Sequence, residues 1–289
     1  MSSHWRWLAV PVLAAMVAAG CGRAEPEPRV FELRGQILEL RPERDEVMIR
    51  HEDIPNFMPG MTMPFQVDDP AMLEGATPGD LVTATLVVGE LRAYLSTLEV
   101  TGHADLEEAP ELPAITFADM LALGDTVPDT TLTAENGAAW SLADLRGHRV
   151  ALTFIYTRCP LPDFCPLMDR NFAAVQQALA GDPALADVRL VSVSIDPGFD
   201  TPAVLQAHAE ALGADPDIWH FVTTDDIADF AARFGVTAAQ DADDALQIVH
   251  NLRTAVIDPE GRMVTTRNGN SWTPADLLAD LQAVPAPGN

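Results

Sequence analysis

Two cysteines lie close together in a short loop that follows a run of β-forming residues. Thr153 to Met168 reads "TFIYTRCPLPDFCPLM", so five residues, two of them proline, separate Cys159 from Cys165. Thiolates attack disulfides and bind soft metal ions. The chemistry of the pair leaves three interpretations open: a structural disulfide, a redox dithiol and a metal site.

The predicted elements place both sulfurs at the N-terminus of a helix. Residues 149–156 form an apolar run of strand length, and residues 166–179 have helical spacing. The positive end of the helix dipole favours thiolate and predicts a cysteine pKa below its usual value of about 8.5. The segment before the loop resembles the opening of the thioredoxin-like fold, whose oxidoreductases have two residues between their cysteines. Five residues relax the pairing of the sulfurs and leave room for a metal ion.

A second set of soft donors lies earlier in the chain, in "RHEDIPNFMPGMTMPFQV". Met58, Met61 and Met63 stand close together there, with His51 upstream. Met61 and Met63 are two apart on a predicted strand and therefore share a face. Thioethers are neutral ligands that bind Cu(I) and ignore hard cations. The alternative is that the three methionines fill gaps in a hydrophobic core.

The chain begins with an apparent export signal. Arg6 precedes the apolar run "WLAVPVLAAMVAAG", which is too short to span a membrane as a helix. The run ends in "VAAGC", which resembles a lipobox and predicts that Cys21 is lipidated after residues 1–21 act as a lipoprotein signal peptide. The alternative is an ordinary cleaved signal with Cys21 incidental. Export places Cys159 and Cys165 outside the cytoplasm, where thiols tend to oxidise.

Composition and patterning predict two domains. The chain has 289 residues, is 48% hydrophobic and carries a net charge of −26, which argues against nucleic-acid binding. After a tether at 22–29, residues 30–102 contain short β-rich segments that predict a small antiparallel barrel. Residues 103–113 are acidic and contain proline, as is typical of a linker. Residues 114–289 alternate between strand and helix patterns, which predicts an α/β domain with a central sheet.

The second domain resembles the Sco/SenC family over residues 114–284. The segments "TFIYTRCPLPDFCP", "SVSIDPGFDTP", "FGV" and "VIDPEGR" carry the resemblance. It implies a thioredoxin-like fold and a copper site formed by Cys159, Cys165 and His250, which precedes a predicted hairpin. Two features differ from the usual family pattern: three residues normally separate the cysteines, and Asp-His before Ser or Thr stands where this chain has Val249-His250-Asn251.

The donor types agree with that implication. Two thiolates and an imidazole suit Cu(I), and Cu(II) also occupies such a set. A structural zinc site needs a fourth protein ligand, and the sequence offers no obvious one. Without the cysteines, His250 reads as an ordinary surface histidine before a hairpin.

The first domain resembles the CusF-like periplasmic copper-binding domain, a five-stranded barrel of the OB type. The likeness covers about residues 30–102 and is carried by the "MTM" motif with its following Phe and the upstream His. It implies a Cu(I) site formed by His51, Met58, Met61 and Met63. The tryptophan that lies over the metal in those proteins has no counterpart in this segment, where Phe57 or Met58 stands near that place.

Together the motifs predict a copper chaperone that is lipid-anchored on the periplasmic side of a bacterial membrane. The resemblance implies delivery to the cytochrome c oxidase subunit that carries CuA, and a thioredoxin-type reductant for the two thiols. Two alternatives stay open. One is an enzyme, a thiol–disulfide oxidoreductase that uses Cys159 and Cys165 as its redox pair, and the other is a copper-tolerance buffer or sensor.

Overall fold

The computed structural model describes residues 27–58, 60–106, 120–236, 238–240 and 248–287, with the backbone alone for 238–240 and 248–250. The predicted signal peptide, Cys21 and most of the predicted tether and linker lie outside these residues. In the described part of the chain, no helix is both long and apolar enough to cross a bilayer.

The N-terminal domain is an antiparallel sheet of five strands in the order β3-β2-β1-β4-β5. The alternating apolar residues predict these strands, and the small all-β domain is confirmed. Its edge strands meet at one parallel bridge, between Val67 and Leu95, and not along a full ladder. The strands are β1 (Arg29–Arg41), β2 (Glu46–His51), β3 (Met61–Gln66), β4 (Asp80–Val88) and β5 (Ala93–His103).

Strand β5 continues one residue beyond the predicted domain boundary. His103, which the sequence assigns to the linker, pairs with Asp80 of β4, and its Nδ1 lies 2.8 Å from an Asp80 carboxylate oxygen. This interaction fixes the last residue of the strand to the sheet.

The C-terminal domain has a mixed sheet of seven strands in the order β14-β13-β8-β9-β10-β6-β7, and a separate pair, β11 and β12. The three central strands, β8 to β10, are parallel, and the outer strands join them antiparallel. The strands are β6 (Thr131–Ala134), β7 (Ala139–Ser141), β8 (Arg149–Ile155), β9 (Val188–Ser194), β10 (Trp219–Thr223), β11 (Ala238–Gln240), β12 (Ile248–His250), β13 (Arg253–Ile257) and β14 (Met263–Asn268).

Four helices complete this domain, and the predicted strand–helix alternation is confirmed. The first and last helices pack against each other and against β8, while the second packs against β10. Gly213 ends the second helix in the left-handed region, and Thr273 begins the last with a capping box. The helices are α1 (Cys165–Leu179), α2 (Pro202–Leu212), α3 (Ile227–Arg233) and α4 (Pro274–Ala283).

Strand β8 is the centre of the second core and leads directly to the cysteines. All seven of its residues are buried, which explains why it reads as a continuous apolar run and not as an alternation. Its first residue, Arg149, is buried as well. The guanidinium pairs with the Asp187 carboxylate and donates to the carbonyls of Leu281 (3.0 Å) and Ala184 (2.6 Å).

The interactions of the Arg149 guanidinium predict that removing this side chain destabilises the second domain. Arg149→Ala leaves the carboxylate and two carbonyls without their donor, so we expect the free energy of unfolding of the second domain to fall by about 3 kcal/mol. Tryptophan fluorescence during urea denaturation measures this, because Trp140, Trp219 and Trp272 all lie in that domain. Exposed Arg233→Ala is the control, with an expected loss below about 1 kcal/mol. Equal losses in the two variants would contradict the assignment.

Candidate metal centres

A buried carboxylate holds the start of the thiol loop, which we define as Thr157–Phe164. Asp200 is fully buried and accepts hydrogen bonds from the Thr157 backbone N–H (3.1 Å), the Thr157 hydroxyl and the Ser194 hydroxyl (2.6 Å). Ser194 is the last residue of β9, the strand beside β8. The loop is therefore tied to the end of the neighbouring strand before it reaches its first cysteine.

A second acidic residue of the same segment fixes Arg158, the neighbour of Cys159. Asp196 accepts a hydrogen bond from Arg158 Nε at 2.6 Å, and the guanidinium carbon of Arg158 lies 4.5 Å from the centre of the Phe199 ring. The segment "SVSIDPGFD" thus contacts the first two residues of the thiol loop, Thr157 and Arg158. It supplies two carboxylates, one hydroxyl and one aromatic face.

The two cysteines are not joined in a disulfide and lie in different environments. Cys165 begins α1 and is buried, whereas Cys159 is half-buried. A hydrogen bond from the Cys165 thiol, helped by the Cys165 backbone N–H, lowers the pKa of Cys159. Burial, followed by interaction with Cys159, raises the pKa of Cys165 well above its usual value. Of the two sulfurs, Cys159 is therefore the one that loses its proton more readily, and Cys165 is the one that retains it.

This asymmetry confirms the predicted direction for one cysteine and corrects it for the other. The sequence predicts a lowered pKa for both sulfurs because both precede a helix. The pKa of Cys165 is raised instead, because α1 buries the side chain between the helix and the sheet. The cost of removing water from a thiolate is larger here than the stabilisation that the helix dipole offers. Burial and the two sulfurs also raise the pKa of Tyr156, so its phenol stays protonated.

The strand that carries His250 lies at the same edge of the sheet as the thiol loop. Strand β13 pairs antiparallel with β8, with Thr254 opposite Thr153. The chain that leads into β13 therefore lies beside the end of β8, where the thiol loop begins. His250 is the last residue of β12, two residues before β13. Its side chain is outside the described atoms, so its place in the ligand set stays a prediction.

The N-terminal domain brings His51 and two methionines to one face of its sheet. Met61 lies opposite His51, and Met63 lies opposite Ile49, two residues before His51 on β2. Directly opposed residues of an antiparallel pair project to the same side, so the three side chains are neighbours. Met58 and Met63 are also members of the buried apolar cluster of this domain.

The His51 ring is prepared to bind a soft cation. Its Nδ1 lies 2.7 Å from the Glu52 carbonyl oxygen and donates to it, which leaves the lone pair on Nε2. The Nε2 atom is buried and has no hydrogen-bond partner. Burial lowers the pKa of His51, so the ring is neutral. Metal-binding histidines commonly donate their other ring N–H to a carbonyl in this way, and the donor set fits a thioether-bound ion.

Phe65 is an aromatic neighbour of this site that sequence reasoning missed. Its ring is edge-on to His51, with centroids 5.5 Å apart. Phe57, which the sequence places near the position of the missing tryptophan, instead stacks on Phe31 at 4.4 Å. The spacing of Met61, Met63 and Phe65 at every second residue was the available signal, because such residues share one face of a strand.

Within the described atoms, neither candidate centre is a cluster of three or more His, Cys, Asp or Glu side chains. Among the residues that the structure describes, no three His, Cys, Asp or Glu side chains converge on one point. The predicted N-terminal set contains one such ligand, His51, and three methionines, of which the strand pairing places Met61 and Met63 beside His51. The C-terminal centre has two, Cys159 and Cys165, beside the strand of His250.

Residues 119–285, more than half of the chain, match the profile of the SCO1/SenC family. The chain belongs to the SCO1/SenC family. It is 27% identical to a SCO1 protein homolog of Bacillus subtilis over 157 residues, which are 53% of this chain and 79% of the homolog. It is 32% identical to the mitochondrial SCO2 homolog of Bos taurus over 82 residues, 28% of this chain and 30% of the bovine protein.

Comparison with solved structures supports the thioredoxin-like fold of this SCO1/SenC protein. The crystal structure of a SCO1/SenC family lipoprotein from Bacillus anthracis aligns with a TM-score of 0.51 and 26% sequence identity. The alignment covers 56% of this chain and 96% of that structure. The N-terminal residues 30–99 match the profile of the copper-binding periplasmic protein CusF. The profile that matches the first domain is that of a copper-binding protein, so copper is the metal that the comparisons support.

The unequal thiols predict unequal reactivity. We expect iodoacetamide at neutral pH to modify Cys159 about tenfold faster than Cys165, because alkylation needs an accessible thiolate. In Cys165→Ala the donor to Cys159 is lost, so the pH profile of Cys159 alkylation should move to higher pH. Cys165→Ser, which keeps a hydroxyl donor, is the matched control and should move it less. Peptide mapping by mass spectrometry measures each rate, and equal profiles for Ala and Ser would contradict the hydrogen bond.

Proposed function

We propose that this SCO1/SenC protein is a copper chaperone, tethered to the membrane through lipidated Cys21 on the periplasmic side, and that it delivers copper to the CuA subunit of cytochrome c oxidase. The observation that carries the proposal is the pair of free, hydrogen-bonded thiols at the sheet edge beside the strand of His250. The choice of the CuA subunit as the copper acceptor comes from the resemblance to the family. The CusF profile is that of a periplasmic protein, and the Bacillus anthracis relative is a lipoprotein, which supports the location.

Cys159, Cys165 and His250 would hold the copper ion in the C-terminal domain. Two thiolates this close repel each other, and burial disfavours the charge on Cys165. A bound monovalent cation offsets both effects, so copper can displace the Cys165 proton that the metal-free protein retains. A soft ion satisfies two sulfurs and an imidazole.

His51, Met58, Met61 and Met63 would capture Cu(I) in the N-terminal domain. These four donors are neutral, and Met61 is the member that remains half-buried and accessible. A neutral thioether site holds Cu(I) without requiring any ligand to lose a proton. It therefore suits capture, whereas the thiolate site suits retention and delivery.

The unequal thiols also favour a second candidate function, thiol–disulfide exchange with a partner protein. The Cys159 thiolate would attack a partner disulfide and form a mixed disulfide, releasing one partner sulfur as a thiolate. Cys165, after losing its proton to that thiolate, would attack Cys159 and release the second partner sulfur. The products are a reduced partner and a Cys159–Cys165 disulfide, which a thioredoxin-type reductant would restore.

Copper stoichiometry tests the two centres separately. After anaerobic loading with excess Cu(I) and removal of weakly bound metal, we expect two copper ions per wild-type chain. Cys159→Ser/Cys165→Ser and Met61→Leu/Met63→Leu should each retain one, because each pair removes ligands from one domain. Atomic absorption gives the metal content. If Met61→Leu/Met63→Leu still bound two copper ions, the two methionines would be residues of the hydrophobic core and not copper ligands.

A single substitution separates copper delivery from disulfide exchange. His250→Ala should weaken Cu(I) retention against a competing chromogenic chelator by about tenfold or more, because one of three ligands is lost. Reduction of a model disulfide should be unchanged, because exchange needs the thiols alone. His148→Ala is the control for loss of a histidine. If His250→Ala retained copper fully, the oxidoreductase reading would be favoured.

Delivery to the oxidase is tested in cells that lack this protein. We expect low oxidase activity that medium copper partly restores, with full recovery on expression of wild-type protein. Expression of His250→Ala should give no recovery, since the copper site would be incomplete. Normal oxidase activity in the deletion strain would instead indicate copper tolerance.

A further inference from the structure

The thiol loop of the second domain is inserted into the core of the first. Leu161, between the two cysteines, is only 6% exposed, and the residues it packs among are those of the N-terminal apolar cluster. Cys159 and Phe164 pack against the cores of both domains. Cys159 therefore lies at the boundary between the two domains.

Polar contacts hold the loop in this position. The Asp163 carboxylate accepts a hydrogen bond from the backbone N–H of Ala93, the first residue of edge strand β5. The Arg170 guanidinium, on α1, donates to the carbonyl of Pro162 at 2.7 Å and to that of Leu91 at 3.4 Å. Leu91 lies just before β5. The loop thus contacts the N-terminal domain through both apolar and polar groups.

The candidate ligands of the two centres approach each other across this boundary. Cα atoms of β12, the strand that ends at His250, lie within 8 Å of Cα atoms of β3, which carries Met61 and Met63. A cavity of about 440 Å³ lies between the domains, and residues of both line it. These include Met63, Phe65, Leu161, Phe164 and Leu252.

We propose that copper passes directly from the thioethers of β3 to Cys159 within one molecule, while the thiol loop is docked in the N-terminal domain. The proposal rests on the chaperone function given above. One Cu(I)–thioether bond breaks as one Cu(I)–thiolate bond forms, with no change in oxidation state. When Cys165 joins the coordination, its thiol proton leaves to solvent.

Ligand chemistry and proximity both favour this direction of transfer. The donors of the first site are neutral, whereas the second site has two cysteine sulfurs, which bind a soft cation as anionic thiolates. Docking replaces a bimolecular encounter by an intramolecular step with a high effective concentration.

The test uses Leu161→Glu in the full chain, because an apolar core does not accommodate an unpaired carboxylate. Leu161→Ala is the milder variant, and Leu123→Glu is the matched control, since Leu123 is 63% exposed. Cu(I) is added in substoichiometric amount as a weak acetonitrile complex to reduced protein. Formation of Cu(I)–thiolate bonds is followed by their near-ultraviolet absorption at several protein concentrations.

We expect wild type and Leu123→Glu to load the thiolates at a rate that does not depend on protein concentration. In Leu161→Glu and Met61→Leu/Met63→Leu the rate should fall about tenfold, because the docked step is lost. A second readout needs no copper: alkylation of Cys159 should be severalfold faster in Leu161→Glu, and intermediate in Leu161→Ala.

Two results would overturn the relay, and they distinguish its failure from failure of the chaperone proposal. If wild-type thiolates bind no copper at equilibrium, both proposals are wrong. If they bind copper but Leu161→Glu loads at the wild-type rate, only the relay is wrong, and faster alkylation in that variant would then show that the N-terminal domain covers the thiols without donating copper to them.

Discussion

Two sulfur atoms in hydrogen-bonding contact, one of them buried, cannot both carry negative charge without a cation. This constraint governs the second domain. Cys165 keeps its proton because α1 and the sheet remove its water, and it gives Cys159 the hydrogen bond that stabilises a thiolate. In the metal-free pair, deprotonation is therefore easier at Cys159 than at Cys165. A monovalent soft cation relieves the repulsion, whereas a disulfide relieves it by oxidation, so the same geometry supports both candidate chemistries.

The rest of the domain fixes where that pair stands. Asp200 and Asp196 tie Thr157 and Arg158 to the end of β9, and each carboxylate is almost fully buried with its donors. Below the loop, Asp169 of α1 is 2.9 Å from His208 Nε2, and its charge contributes to the raised pKa of Cys165. The hydrogen bonds that Asp200 and Asp196 accept hold the start of the thiol loop in one geometry.

The candidate site of the first domain differs, because its ligands for a cation are all uncharged. His51 is neutral, and its free ring nitrogen is buried near methionine side chains that also fill the core. The two interpretations of Met58 and Met63, as core residues and as ligands, are therefore compatible. In the proposed relay, a soft cation would move from neutral thioethers to cysteine sulfurs, and the docked thiol loop would shorten its path.

The sequence by itself predicted the small all-β segment, the strand–helix alternation that follows it, the pair of cysteines and the methionine strand, but not the short strands β6, β7, β11 and β12. These features depend on local periodicity, capping and spacing, as the buried run of β8 and the caps at Gly213 and Thr273 show. Only the tertiary structure decided which cysteine holds the proton, because that depends on burial by α1. It also placed Phe65 against His51 and Leu161 in the core of the other domain. These contacts join residues distant in the chain, and their geometry is set by packing between elements, which no local pattern records.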